Sequence, residues 1–205
     1  MTTFYFIRHG QTTANATGLK QGTINDERTH LTETGHAQAT HLAAQFDVAN
    51  MTALFVSPLD RTQETAAHLH TDLPMQLDAR LLEISYGQWD GQQNADLQAK
   101  YPEVFDQTLN DVLPTYTQIA TDGETFEHVQ ARVKDFMTEI EAQYPDGNIL
   151  CVSHGFTVKS AALVALAAKD PMSLPEPDNT SVTKITKVGD HYYLWYYNRF
   201  DAQTY

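Results

Sequence analysis

Three stretches of the chain carry residues suited to an anionic tetrahedral group. Arg8-His9-Gly10 and Ser153-His154-Gly155 each place a histidine directly before a glycine, and Arg61 follows Ser57-Pro58 by a few positions. Arginine offers a fixed fork of donors that fits phosphate oxygens two at a time. Histidine near neutral pH serves as nucleophile, base or cationic donor. A glycine after each histidine removes a Cβ and lets a ligand approach the backbone. Phosphoryl transfer needs in-line attack and charge stabilisation on the equatorial oxygens. Two arginines and a second histidine could supply that stabilisation without a metal.

These residues matter only if the fold brings them together. Thr3 to Ile7, Ala53 to Ser57 and Asn148 to Ser153 are short β-branched or aromatic runs that read as buried strands. Each is followed by a helical pattern. Thr32 N-caps one helix, with Ala39, Leu42, Ala43 and Phe46 at helical spacing, and Pro58 sits at the start of a second. Phe126, Val129, Val133, Phe136, Met137 and Ile140 form a third stripe, and Phe156 to Ala168 a fourth helix. Ser181 to Val188 and His191 to Tyr197, joined at Gly189-Asp190, read as a hairpin. Strands alternating with helices imply an α/β fold, a three-layer α/β/α sandwich with a mostly parallel mixed sheet. Ligands in such sheets sit beyond the carboxyl ends of the strands. That is where Arg8-His9, Ser57 with Arg61, and Ser153-His154 fall.

Composition narrows the class. The chain has 205 residues, 13 Lys+Arg against 26 Asp+Glu, and a formal charge of −13. Residues 72–147 hold 4 basic and 15 acidic groups, so this stretch carries −11 of the total. With no basic stripe, nucleic acid is a poor partner. The longest apolar runs fall well short of the ~20 residues of a membrane helix, so no membrane partner is expected. No signal peptide is legible, and the lone Cys151 rules out a disulfide framework and reads as a small core residue, which points to a cytoplasmic protein. No His-Glu-x-x-His, paired cysteine, acidic calcium loop or glycine-rich nucleotide loop is present, so no metal or other cofactor is expected. His68-x-His70 reads as a solvated helix end. Tyr192, Tyr193, Trp195, Tyr196 and Tyr197 could mark an interface, but packing of a half-buried hairpin is the favoured reading. Nothing signals oligomeric state.

Arg8-His9-Gly10-Gln11-Thr12 after an N-terminal strand resembles the signature of the histidine phosphatase superfamily, in its phosphoglycerate-mutase-like branch. The likeness continues in order through Asn15, Gln21-Gly22, Leu31-Thr32-x-x-Gly35, Ser57-Pro58-x-x-Arg61-Thr62, Glu83, Gly123-Glu124-Thr125, Val152-Ser153-His154-Gly155 and Asn179-Thr180-Ser181-Val182, nearly the whole chain. The resemblance implies that His9 becomes a phosphohistidine. It implies that Arg8, Arg61 and His154 hold the phosphoryl oxygens, and that Glu83 protonates the leaving oxygen and then activates water. Asn15, Gln21 and Gly22 would contact the phosphate or the leaving group.

The sequence departs from that pattern in places. The segment from Gln21-Gly22 to Leu31-Thr32 is longer than usual and lacks its proline, and Leu82 stands where an arginine is common. Gly87-Gln88-Trp89-Asp90-Gly91 looks phosphatase-like, and Lys100 is the only basic residue between Glu83 and Gly123. A mutase must hold a second phosphate while the first moves, so hydrolysis is favoured over a phosphoglycerate mutase's exchange, and a phospho-ligand-binding module without turnover ranks behind both. The expectation is one domain over 1–205, with 84–122 as a lid-like insertion. It would act on a small phosphorylated metabolite with one phosphate on a neutral or modestly charged body.

Overall fold

The computed structural model describes residues 1–199, so 200–205 of the expected domain lie outside it. In chain order the elements are β1 (Thr2–Arg8), α1 (Thr13–Thr17), α2 (Glu33–Gln45), β2 (Ala53–Val56), α3 (Asp60–Ala67), β3 (Met75–Leu77), α4 (Asn94–Lys100), β4 (Phe105–Asp106), β5 (Asp111–Val112), α5 (Phe126–Gln143), β6 (Asn148–Ser153), α6 (Gly155–Leu166), β7 (Val182–Val188) and β8 (His191–Arg199). Six strands form one sheet in the order β3-β2-β6-β1-β7-β8, and β4 pairs with β5 apart from it. β1, β2, β3 and β6 run parallel, while β7 is antiparallel to both of its neighbours. This is the expected mostly parallel mixed sheet.

Both faces are covered because the central strands are apolar on both sides. Phe4, Phe6, Phe55 and Cys151 face one core with Val129, Val133 and Phe136 of α5 and Phe156 and Val158 of α6. Ile7, Leu54, Val56, Leu150 and Val152 face the other, with Leu42 and Ala43 of α2, Phe46 just beyond it, and Ala66 of α3. Each fully buried Leu, Ile, Val or Phe is worth about 1.5–3 kcal/mol of transfer free energy. The register of β1 on β6 runs from Thr3 opposite Asn148 to Arg8 opposite Ser153. The two histidines that follow these strands therefore emerge side by side.

Most helix starts fall where the caps place them. Thr32 caps α2 through its hydroxyl on the Gly35 N–H, and Thr125 caps α5 on that of His128. Pro58 does not start a helix: Leu59 is still extended and the first helical residue is Asp60. The expected helix from Phe156 to Ala168 begins one residue earlier and stops at Leu166, because Ala167 turns left-handed at φ 48° and its N–H returns to the Leu163 and Val164 carbonyls. Tyr193 and Trp195 of β8 are exposed, whereas Tyr192 and Leu194 pack on the core, as a half-buried hairpin requires.

Residues 84–122 carry α4, β4 and β5. Their aromatic rings, Trp89 stacked on Tyr101 and Phe105, and Tyr86 edge-on to Tyr116, join the core that α5 and α6 share. No helix among the described residues is long and apolar enough to cross a membrane.

Candidate active site

β1 delivers His9 and β6 delivers His154 at the point where neighbouring strands send their connections to opposite faces of the sheet, the expected crevice of such folds. The His9 N–H binds the Ser153 carbonyl at 3.0 Å, and the two imidazole centroids lie 5.3 Å apart. His9 Nδ1 is 2.7 Å from the Gly10 carbonyl. A carbonyl only accepts, so Nδ1 carries the proton and Nε2 keeps its lone pair. The Asn179 amide donates to the His9 carbonyl at 2.8 Å, fixing the turn.

His154 has the opposite tautomer. Its Nδ1 accepts from Arg61 Nε at 3.1 Å, so its proton sits on Nε2 and is donated to Ser57 Oγ at 2.7 Å. Burial pushes both imidazoles well below the ordinary value of 6.5. Arg61 is the next cause for each, and only the Gly10 carbonyl pulls His9 the other way. Both rings are therefore neutral at physiological pH.

Arg61 is fully buried, and its ordinary value is pushed down to about 10, chiefly by burial. Its Nη1 donates to the Ile24 carbonyl at 3.1 Å and Nη2 to that of Gly22 at 2.8 Å. The segment after Gly22 is thus tied to α3, and the Asn25 amide oxygen also receives the Asp60 N–H at 3.0 Å. Arg8 points from the end of β1 toward the connection between α6 and β7, where Nη1 donates to the Pro177 carbonyl at 2.5 Å.

Glu83 stands at the start of α6. One oxygen receives the N–H of Ile84 at 3.0 Å and of Thr157 at 3.2 Å, and the other receives the N–H of Phe156 at 3.3 Å. The Ser153 hydroxyl on the Leu81 carbonyl and the Thr157 hydroxyl on that of Leu82 pin the same loop to the β6–α6 junction. Thr12 caps α1 and Asn15 closes the capping box: its Oδ1 receives the Thr12 N–H at 3.1 Å, which leaves Nδ2 as the donor available to a ligand. Gln21 Oε1 lies 3.0 Å from the Thr12 hydroxyl.

A cavity of about 320 Å³ opens over this arrangement, a volume suited to a small metabolite. Arg8, His9, Asn15, Gln21, Gly22 and Glu83 line it. Arg61 and His154 lie behind its floor, bonded to each other. His9 is only 2% exposed although the cavity beside it is open to solvent.

The glycines have another purpose than the sequence suggests. A Cβ on Gly10 would meet the Gly35 carbonyl at 2.6 Å, and one on Gly155 would collide with Glu176. They serve close packing of α2 and of the α6–β7 connection.

Sequence reasoning missed Ser57 as the partner of His154, Thr157 as a support of Glu83, and the outer wall of Lys20, Tyr86, Asp111 and Glu176. The Ser-Pro and His-Gly-Phe-Thr contexts could have pointed to the first two. The wall assembles from distant segments and left no local signal. His68, read as a solvated helix end, meets His36 rather than His70, at 3.1 Å.

The family model for the histidine phosphatase superfamily (branch 1) matches residues 4–199. The chain is 33% identical over 152 residues to adenosylcobalamin/alpha-ribazole phosphatase of Escherichia coli, spanning 73% of this chain and 72% of that one. It is 29% identical over 156 residues to phosphoserine phosphatase 1 of Hydrogenobacter thermophilus, spanning 75% and 71%. The structure of mycobacterial glucosyl-3-phosphoglycerate phosphatase with VO3 superposes with a TM-score of 0.81 at 26% identity, over 96% of this chain and 98% of that one. With that match running over residues 4–199, the protein belongs to the histidine phosphatase superfamily, branch 1.

Proposed function

We propose that the protein is a metal-independent phosphatase that hydrolyses small phosphomonoesters through a phosphohistidine on His9. The observation that carries this reading is the tautomer of His9: Nδ1–H is held by the Gly10 carbonyl, so Nε2 meets the cavity with its lone pair. In the first step Nε2 attacks phosphorus and the bond to the leaving oxygen breaks, with Glu83 giving that oxygen its proton. The Gly10 carbonyl stabilises the imidazolium character that the attack creates. In the second step water attacks phosphorus, the P–N bond breaks, and Glu83 takes the water's proton. Arg8 neutralises charge on the phosphoryl oxygens, while Arg61 acts through His154 and the Gly22 and Ile24 carbonyls as well as by its own charge.

Residues 84–122 act as the lid of this single domain, and Asn15, Gln21 and Gly22 line the leaving-group side. The relatives are named for three different esters, so their names do not choose the substrate. Hydrolysis is favoured over exchange because the further cation lining the cavity, Lys20, is already paired with Asp111 at 3.2 Å and offers little to a second phosphate. The expected setting is the cytoplasm.

The test is phosphate release from a panel of small monoesters with and without chelator. Release should be unaffected by chelator, and strong inhibition would refute the metal-free step. A trapped adduct should be labile in acid and stable in base, as a phosphoramidate is; an acid-stable adduct would name another nucleophile.

A further inference from the structure

The connection between α6 and β7 carries Glu176, a carboxyl that the mechanism above does not use. It lines the cavity together with Arg8, His9 and Glu83. Its Oε2 lies 3.7 Å from Arg8 Nη1, beyond hydrogen-bond reach, and no hydrogen bond reaches its carboxyl among the described residues. A Cβ on Gly155 would run into this same oxygen and come within 3.1 Å of Arg8 Cζ. The carboxyl and the guanidinium therefore meet over the first residue of α6, next to His154. An anion held by Arg8 in this cavity would therefore meet the Glu176 carboxyl.

An ionised carboxylate there would face the incoming dianion at close range, and like charges repel. The other groups around it do not remove that conflict. Arg8 from β1 and Lys20 from the loop after α1 attract it, but Asp111 from β5 and Glu83 repel it. Tyr86, Tyr197 of β8 and His9 are neutral. Burial, then Asp111, pushes the Glu176 carboxyl up to about 7.

We propose that Glu176 is a further substrate-binding residue, whose protonated carboxyl donates a hydrogen bond to the bound phosphoryl group, so that the anion and one proton enter together. The proposal rests on the phosphatase reading of this cavity. By reciprocity, an anion that binds the protonated form more tightly draws a proton onto it.

The probe is sulfate, a tetrahedral dianion that does not titrate near neutrality, bound to the full chain in a calorimeter using buffers of different ionisation enthalpy. Wild type should take up almost no proton at about pH 6 and about one at about pH 8, with affinity falling up to about tenfold per pH unit above neutrality. Glu176→Gln carries a permanent donor in place of the acid, so it should show little uptake at either pH and a flat affinity. His9 and His154 remain in that variant, so the difference between the two proteins belongs to Glu176. Glu176→Ala should also lose the uptake, and it should bind sulfate more weakly than wild type at about pH 6; melting curves confirm that both variants fold. Equal proton uptake in wild type and Glu176→Gln overturns the proposal, as does absence of sulfate binding to wild type. Hydrolysis of p-nitrophenyl phosphate, followed in parallel, separates the two readings. Turnover with an unchanged pH slope in Glu176→Gln refutes the role of Glu176 alone. Proton-linked sulfate binding without turnover of any ester refutes the hydrolase.

Discussion

Two neutral imidazoles buried beside guanidinium groups make stability depend on pH. His9 and His154 lie well below their ordinary 6.5 when folded, so below that pH the unfolded chain binds protons that the native state refuses. Stability contributed by these groups is whole above about pH 6.5 and is lost as pH falls, by about 1.4 kcal/mol per unit for each histidine. Glu176, raised from 4.5 to about 7, acts oppositely: the native state keeps a proton that the unfolded chain releases, so its contribution is lost as pH rises through that range. Two groups outweigh one, and the melting temperature should drop between about pH 6.5 and pH 5.5. His154→Gln, which removes one titrating ring, should flatten that drop; an unchanged slope would show that the ring does not titrate between the two states. The sign for catalysis is separate. His9→Ala should abolish turnover, and Glu83→Gln should slow an alkyl phosphate far more than a nitrophenyl one, because only the poor leaving group needs the proton. Equal slowing would remove Glu83 from that role.

Among the elements, the turn after Gln21 is the most exacting. Gly22 has φ of +50°, its carbonyl holds Arg61, and the place of a Cβ is filled by the Asp90 carboxylate, itself anchored by the Tyr86 and Thr23 N–H groups. Gly22→Ala should therefore cost about 2 kcal/mol and also displace Arg61, reducing kcat/KM by more than tenfold. Gly189 has a similar φ of +57° with open space around it, so Gly189→Ala should cost about 1 kcal/mol and leave turnover intact. Thermal melts and steady-state rates of the two variants decide this; equal effects on turnover would show that strain rather than the Arg61 tether matters. The longer elements were legible in the sequence. The α5 stripe from Phe126 to Ile140 is buried throughout, and β6 falls where Asn148 to Ser153 predicted it. The short ones were not: β3, β4, β5, α1 and α4 are too brief for a hydrophobic period to show, and their partners lie far away in sequence.

Over the whole molecule the charge of −13 surrounds a cavity that is lined by Arg8 and Lys20 and backed by Arg61. Such a field repels polyanions at long range, and salt removes the effect as the screening length shrinks from about 30 Å to about 8 Å. Raising ionic strength from about 0.01 to 0.15 M should thus raise kcat/KM for a bisphosphorylated ester relative to a singly phosphorylated one. A ratio that does not move with salt would show that selectivity lies wholly in short-range contacts.

The residue order alone determined the sheet strands β1, β2 and β6 and placed Arg8-His9, Ser57 with Arg61, and Ser153-His154 at or just beyond their ends, while Glu83 entered only through the family resemblance. Apolar periodicity fixes which segments must be buried, and the ends of buried strands are where reactive side chains can emerge. Tertiary structure alone decided the tautomers of the two histidines, the seating of Glu83 on the N–H groups of α6, and the outer wall of Lys20, Asp111 and Glu176. Those features depend on which carbonyls, amides and charges from distant segments arrive within hydrogen-bond or Coulomb range, and no local pattern in a chain encodes that distance.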